Sequence, residues 1–229
     1  MSRQSRRTVA TALACAAVAA GCGGEPPAAP PPTDADTDAC PSVEDGYRSL
    51  FDGTEDSLDA WRMAGPGGFE LREDCSMVTV GGMGLLWFPE TFDSYRLRLD
   101  WRMEGDDNSG VFVGFPDPGD DPWLAVTEGY EVQIDPTDQP DSTTGAIYSV
   151  QGADLEARDE ALNPPGEWNS YELVVEGPRL VVYLNDVLVN DFVSPDPARL
   201  PGGGYIGLQN HADGDEVFFR NVRLTEPAD

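Results

Sequence analysis

The chain of 229 residues contains no lysine, only one histidine and only four cysteines. The scarcity of these residues limits what the chain can bind. All 14 basic residues are arginine, against 42 acidic residues, which leaves a formal net charge of -28. A chain this acidic repels phosphate backbones and anionic membrane surfaces, which argues against nucleic acid as a partner. One histidine and scattered cysteines give no cluster of the kind that binds zinc. We therefore predict no metal site and no cofactor.

Long apolar runs are also absent, because the apolar run at residues 8–20 is too short to span a membrane. Three arginines precede this run, and the small residues 19–21 lead directly to Cys22. This order is typical of a secretory signal peptide, and the cysteine that follows it resembles a bacterial lipoprotein signal. We predict that residues 1–21 are removed and that Cys22 is lipidated. Ordinary soluble secretion is the alternative.

A lipid on Cys22 would anchor the protein to a bacterial membrane at the cell envelope, on the periplasmic side or the cell surface. Residues 22–44 then form a tether, since they are rich in Pro, Ala and Asp and have no apolar period. Once Cys15 has left with the signal peptide, Cys40 and Cys75 remain as a pair. Outside the reducing cytoplasm we expect them to form a disulfide bond, with two free thiols as the alternative.

Helical periodicity is scarce after the tether, and alternation with period two replaces it. Residues 95–103 alternate apolar side chains with Arg and Asp, as a strand with one wet face does. Residues 171–175, 180–184 and 187–189 are separated by turn residues and predict meander hairpins. Further strands are predicted at residues 69–72, 77–80, 84–88, 111–115, 145–150, 205–209 and 217–224. This pattern predicts an all-β fold, a single antiparallel β-sandwich domain over residues 45–226.

A short strand at residues 129–135 carries polar groups on one face. Glu131, Gln133 and Asp135 share that face, while Val132 and Ile134 fill the other. The Cα atoms of Glu131 and Asp135 would lie about 13 Å apart, and their carboxylates roughly 7 to 10 Å apart. That separation suits acid and base work on opposite sides of a bond better than the close pair of a retaining glycosidase. A solvated sheet face is the alternative.

Six segments resemble, in order, the motifs of the 3-keto-disaccharide hydrolase domain family. They are LFDGTEDSLDAW (50–61), NSGVFVG (108–114), GYEVQID (129–135), TGAIY (144–148), GEWNSYELVVEGPRLVVYLNDVLVND (166–191), and GYIGLQNH with VFFRNVRL (204–224). The resemblance covers nearly all of residues 47–226 and implies a concanavalin-A-like jelly roll of the glucanase type. The usual family form places Asp135 one residue later. Either Asp135 faces the same side as Glu131, or a bulge resets the register.

The resemblance implies hydrolysis of glycosides whose sugar has been oxidised to a ketone at C3. Such a ketone acidifies the hydrogen on C2, so that a base can remove it and the C1 leaving group departs before water adds. This route needs a base, a proton donor and a group that stabilises an enolate. Glu131, Asp135 and His211 are the residues that we predict to be catalytic.

Several other residues are predicted to bind a carbohydrate, the oxidised glycoside substrate. Asn108, Gln133 and Gln209 could hold sugar hydroxyls, although Asn108 also suits a turn before Gly110. Trp123 and Tyr130 lie beside a loop rich in Gly, Pro and Asp and would form a rim that stacks on a sugar.

The acidic loop of Asp213, Asp215 and Glu216 offers oxygen ligands of the type that calcium takes, but such a loop in an acidic chain is ordinarily solvated. Two alternatives to the enzyme stay open. One is a non-catalytic, lectin-like carbohydrate-binding lipoprotein of the same fold. The other is a surface scaffold protein.

Overall fold

Two antiparallel sheets form the fold, and their facing sides carry the alternating apolar residues. The computed structural model describes residues 40, 42–196, 198–200 and 202–227. The predicted signal peptide, the lipid acceptor Cys22 and the tether up to residue 39 lie outside the described residues. Within the described ranges, no helix is both long and apolar enough to cross a membrane.

The strands are numbered along the chain. They are β1 (Arg48–Phe51), β2 (Arg62–Ala64), β3 (Gly68–Leu71), β4 (Met77–Val80), β5 (Gly84–Phe92), β6 (Tyr95–Met103), β7 (Ser109–Phe115), β8 (Tyr130–Ile134), β9 (Asn169–Glu176), β10 (Arg179–Leu184), β11 (Val187–Val193), β12 (Gly204–Asn210) and β13 (Val217–Thr225). The larger sheet has eight strands in the order β11-β10-β9-β6-β13-β4-β3, with β1 also paired to β13. The smaller sheet has five, in the order β2-β5-β12-β7-β8. The predicted antiparallel sandwich is confirmed.

The main core lies between the two sheets. Strand β6 contributes five side chains to it, because its alternation turns every second residue inward: Tyr95, Leu97, Leu99, Trp101 and Met103. Val132 and Ile134 of β8 meet this layer from the smaller sheet and are fully buried. A hydrogen bond also crosses the core, in which the hydroxyl of Tyr171 on β9 donates to the backbone carbonyl of Gln133 at 2.6 Å. Strand β8 is therefore fixed from within the core.

The predicted strand at residues 145–150 is wrong as a regular strand. Instead, residues 143–151 form an irregular segment, here called the edge segment, that pairs with the outer edge of β8. The backbone N–H of Tyr148 donates to the carbonyl of Glu131, and that of Gly145 donates to the carbonyl of Gln133, both at 3.0 Å. Gly145 and Ser149 have φ of 82° and 56°, values that a continuous strand cannot contain. The edge segment thus covers β8 without extending the sheet regularly.

The described residues also contain three short helices: α1 (Glu55–Asp59), α2 (Trp123–Glu128) and α3 (Leu155–Ala161). Helix α2 positions the candidate site, because it packs on the outer face of the smaller sheet. Its Ala125 joins a second apolar cluster with Phe112 and Phe115 of β7. Every residue of β7 is consequently buried. Part of the smaller sheet therefore has apolar layers on both of its faces.

The predicted disulfide bond between Cys40 and Cys75 is confirmed, with 5.5 Å between the two Cα atoms. It joins the start of the described chain to the turn between β3 and β4. Because the bond closes a separation of 35 residues, its loss releases entropy mainly in the unfolded state.

We expect the double variant Cys40→Ala, Cys75→Ala to unfold at lower urea concentration, with a free energy of unfolding about 3 kcal/mol below that of the wild type. Reductant should lower the wild type to the level of the variant and leave the variant unchanged. Equal stability of the oxidised wild type and the variant would contradict this expectation.

Candidate active site

A cavity of about 280 Å³ opens on the outer face of the smaller sheet. Its floor is polar and comes from strand residues, its wall is apolar and includes α2, and its mouth carries aromatic and charged side chains. The lining residues that the sequence predicted are Asn108, Trp123, Glu131, Gln133, Gln209 and His211. Those that it did not predict are Met83, Gly84, Phe112, Pro122, Val126, Asp138 and Tyr148. Neither Asp135 nor Tyr130 is among the lining residues.

The Glu131 side chain lies on the cavity floor and reaches diagonally across β7 to a residue without a side chain. In the β7–β8 ladder, Phe112 pairs with Glu131 and Gly110 pairs with Gln133. The carboxyl group of Glu131 extends across β7 above Gly110. A Cβ atom added at Gly110 would lie only 2.2 Å from Glu131 Oε1. Position 110 therefore accommodates the Glu131 carboxyl group only as glycine.

The Glu131 carboxyl group is shielded from solvent to a degree that is unusual for an acid. The residue is 5% exposed, and its Oε1 finds no hydrogen-bond partner within the described part of the protein. Burial disfavours the charged form and raises the pKa of Glu131 to about 8. At neutral pH this carboxyl group is mostly protonated and can donate a proton.

Two amides stand beside Glu131 with part of their hydrogen-bonding capacity unused. The side-chain oxygens of Gln133 and Gln209 are buried and have no partner among the described residues. Gln133 Nε2 makes a long hydrogen bond of 3.5 Å to Asn108 Oδ1. A buried polar atom without a partner costs about 1–3 kcal/mol. Glu131 Oε1 is the third such atom around this cavity. Three buried polar atoms without partners are typical of a site in which a polar ligand supplies the missing hydrogen bonds.

Asp135 does not form the predicted facing pair with Glu131. The β7–β8 pairing shows no register shift, so the alternative with a bulge is wrong, and β8 ends at Ile134. Asp135 Oδ1 accepts hydrogen bonds from the backbone N–H groups of Thr137 and Asp138. Its Oδ2 accepts one from Asn108 Nδ2 at 3.0 Å. Both oxygens are thus engaged by the chain, and the carboxylate holds Asn108 in place from behind the cavity.

His211 lines the cavity from the loop that follows β12. Its Nδ1 lies 2.7 Å from Oδ2 of Asp215, four residues further along. Within the described ranges, no group of three His, Cys, Asp or Glu side chains is arranged to hold a metal ion. Of the acidic residues in this loop, Asp215 contacts the histidine.

Two aromatic side chains stand at the mouth of the cavity. Trp123, the first residue of α2, is 58% exposed, and Tyr148 of the edge segment is 38% exposed. Tyr148, missed as a site residue, ends the motif TGAIY and is placed there by its backbone bond to Glu131. Exposed aromatic faces of this kind can stack on a sugar ring.

The predicted rim position of Tyr130 is wrong. Tyr130 lies on the core side of β8 and is 2% exposed. Its ring packs against Phe192, its hydroxyl shares a hydrogen bond of 2.6 Å with Ser194 Oγ, and the guanidinium of Arg199 lies over it. Period two places it there, because Tyr130 has the same parity as Val132 and Ile134.

Comparison with known proteins identifies the family. Residues 46–225 match the family described as the 3-keto-alpha-glucoside-1,2-lyase-like domain. The chain belongs to this family. The resemblance predicted from six ordered motifs is therefore confirmed.

Three proteins that are similar to this chain share between 15% and 27% of their aligned residues with it. The 3-keto-disaccharide hydrolase of Bacteroides thetaiotaomicron is 27% identical over 235 residues, covering 80% of this chain and 79% of the relative. The crystal structure of a proposed glycosyl hydrolase from Parabacteroides distasonis superposes with a TM-score of 0.64 at 20% identity, covering 80% of this chain and 94% of the other. A carbohydrate-binding module from Bacillus subtilis superposes with a TM-score of 0.52 at 15% identity, covering 73% and 96%. The two structures show a shared fold.

Gly110→Ala should displace the Glu131 carboxyl group, because the new methyl group overlaps it. We expect the variant to lose roughly 1–3 kcal/mol of folding free energy. Adding Glu131→Ala removes the overlapping atoms, so the double variant should be more stable than the sum of the single effects predicts. Urea unfolding of the four proteins measures this coupling. Gly105→Ala, where the nearest atom would be 3.9 Å away, is the control, and additive effects would contradict the described geometry.

Stability should also fall with pH because of Glu131. Its folded pKa of about 8 exceeds the ordinary value of 4.5, so between these values the unfolded chain releases the proton first and folding is penalised. Glu131→Gln does not titrate. The stability of this variant relative to wild type should rise between pH 4.5 and 8.5, by on the order of 4 kcal/mol.

Thermal and urea unfolding at several pH values would measure this trend. Glu128→Gln, at the exposed end of α2, is the matched control and should show no such rise. A difference between wild type and Glu131→Gln that stays constant with pH would show that Glu131 ionises normally.

Proposed function

We propose that this family member cleaves glycosidic bonds of 3-keto glycosides, with Glu131 as the proton donor. The observation that carries the proposal is the buried Glu131 carboxyl group, whose Oε1 has no partner in the described part of the chain, in a cavity that also contains His211 and three side-chain amides. Family membership supports the substrate class, since the curated relative is named a 3-keto-disaccharide hydrolase.

The chemistry that fits these groups is elimination followed by addition of water. A base takes the proton from C2, which the C3 ketone has acidified, and the C2 electron pair forms the C1–C2 double bond. The bond from C1 to the glycosidic oxygen breaks, and that oxygen takes a proton from an acid. Water then adds its oxygen to C1, and C2 regains a proton. The products are the 3-keto sugar and the free alcohol of the leaving group.

The cavity supplies one group for each role. Glu131, protonated at neutral pH, donates to the departing oxygen, and His211 is the base that takes the C2 proton. The amides of Gln133 and Gln209 are placed to bind the keto oxygen and the hydroxyls, with Asn108 held beside them by Asp135. Trp123 and Tyr148 would stack on the sugar or the leaving group. Asp135 thus acts through Asn108 instead of serving as a second catalytic carboxylate.

One feature argues for this route over ordinary glycosidase chemistry. A retaining glycosidase needs two carboxyl groups about 5.5 Å apart, whereas Glu131 is followed on its face of β8 by Gln133, and the other lining carboxyl group, Asp138, belongs to the loop after β8. A separate feature concerns the charge of the sugar, because the described residues that line the cavity include no arginine. Neutral sugars therefore suit the site better than uronic acids or sulfated sugars, which need a cationic partner.

A non-catalytic carbohydrate-binding function is the second candidate. The engagement of both Asp135 oxygens within the chain favours it, since amides and exposed aromatic rings suffice to bind a sugar without cleaving it.

We further propose that the protein acts at the cell envelope, exported and anchored through a lipid on Cys22. The support is the order of basic, apolar and small residues before Cys22 in the sequence.

Incubating the purified protein with a 3-keto disaccharide and with its unoxidised parent tests the proposal. We expect release of free sugar from the keto form alone, because only the ketone acidifies C2. Glu131→Gln should lower the rate by roughly 100-fold or more, since it removes the proton donor. Glu128→Gln is the control and should cleave at the wild-type rate.

Three other outcomes would count against the proposal. Saturable binding without turnover would support the lectin-like function. Equal cleavage of the unoxidised parent would rule out elimination through C2. Neither binding nor cleavage would leave the scaffold function as the better account.

A further inference from the structure

The loop between β12 and β13 carries the single histidine of the chain and is tied to the larger sheet at both ends. Before His211, the buried Asn210 donates through Nδ2 to backbone carbonyls of β3 and β4, at 3.1 and 2.7 Å. After it, the buried hydroxyl of Thr79 donates to the backbone carbonyl of Asp215 at 2.8 Å and accepts from the N–H of Val217 at 3.0 Å. The backbones on either side of His211 and at Asp215 are therefore fixed by buried anchors.

Within this loop the Asp215 carboxylate contacts one of the two imidazole nitrogens. Oδ2 of Asp215 lies 2.7 Å from Nδ1 of His211, while the imidazole lines the cavity. A carboxylate can only accept a hydrogen bond, so a neutral imidazole in this contact carries its proton on Nδ1. The lone pair is then on Nε2, the nitrogen that Asp215 does not occupy.

The contact between His211 and Asp215 contributes little to folding stability. The side chains of His211 and Asp215 are 48% and 19% exposed, and ion pairs that water reaches contribute about 0–1 kcal/mol. What the contact does determine is which nitrogen carries the proton. A base that must accept a proton from a substrate needs its lone pair on the nitrogen that faces the cavity.

We propose that Asp215 is a positioning residue that holds the His211 proton on Nδ1 and leaves Nε2 free to accept the C2 proton of the substrate. The catalytic consequence rests on the function proposed above. The position of the proton does not, and it can be measured without any substrate.

Because the chain has one histidine, a protein purified with a histidine-free tag gives a single imidazole in long-range ¹⁵N–¹H correlation spectra. In alkaline solution, where imidazole is neutral, we expect the wild type to show the Nδ1–H tautomer. Free histidine favours the Nε2–H tautomer, so the expected result differs from the default. Asp215→Asn, whose amide can donate to Nδ1, and Asp215→Ala should both shift the imidazole toward Nε2–H. Asp213→Asn, a change of the same charge in the same loop, should not.

Kinetics with the 3-keto disaccharide supply the second measurement. Loss of the carboxylate that orients a metal-bound histidine typically costs about 10–100-fold in activity, and we take the same range for His211. We expect a loss of this size in kcat for Asp215→Ala, with KM changed less than about threefold, because His211 lines the cavity and Asp215 does not. Asp215→Glu should recover part of kcat, and the urea midpoints of these variants should stay close to the wild type.

The two measurements separate the inference from the proposed function. An Nε2–H tautomer in the wild type, or Nδ1–H that persists in Asp215→Ala, would overturn the inference whatever the activity. Wild-type kcat in Asp215→Ala would overturn it as well. A wild type that shows Nδ1–H but cleaves no 3-keto substrate would contradict the proposed function, and the tautomer shift in the variants would still decide the role of Asp215.

Discussion

The burial of the Glu131 carboxyl group, whose Oε1 has no hydrogen-bond partner among the described residues, is the constraint on which the rest of the site depends. It requires glycine at position 110, because a Cβ atom there would overlap the carboxyl oxygen. It also requires α2 above the outer face of the smaller sheet, since an open sheet face would leave the acid in water with an ordinary pKa. The desolvated carboxyl group costs folding energy, and at neutral pH it keeps a proton that it can donate.

Strand β8 has to be rigid if such a group is to stay aimed at the cavity, and the fold fixes it from several directions. One side is hydrogen-bonded to β7 in unbroken register, and the other to the edge segment. From the core, the hydroxyl of Tyr171 on the opposite sheet holds the carbonyl of Gln133. At its end, the Asp135 carboxylate closes the turn and holds Asn108. The sandwich thus acts as a support that keeps Glu131, Gln133 and Asn108 in one fixed arrangement.

Sequence periodicity predicted the parts of this structure that repeat every two residues. It gave the bounds of β6, the two faces of β8 and the presence of Glu131 and Gln133 on the outer face. The same periodicity assigns Tyr130 to the core, because it has the parity of Val132 and Ile134. The rim position predicted for Tyr130 was therefore avoidable from the sequence. The role of Asp135 depended instead on where β8 ends, which alternation does not show.

Other features left no periodic signal. Helix α2 spans six residues, fewer than two turns, which is too short for a helical period to show in the sequence. The cover over the outer face and the burial of Glu131 were therefore not predictable from periodicity. Tyr148 reaches the cavity through irregular pairing around residues with positive φ, which a strand pattern misses. The contact between His211 and Asp215 arises in a loop that is held by two long-range anchors. Asn210, at the end of β12, binds carbonyls of β3 and β4, and Thr79 of β4 binds the carbonyl of Asp215.

The central claim is that the cavity removes a proton from C2 of a 3-keto glycoside before the glycosidic bond is replaced, and solvent exchange tests it most directly. A 3-keto disaccharide would be cleaved in D₂O, and the earliest product examined by NMR. The hydrogen on C4 is also next to the ketone, so it reports exchange that occurs without the enzyme. The account predicts deuterium at C2 in clear excess over C4. Release of sugar that still carries its original hydrogen at C2 would contradict it.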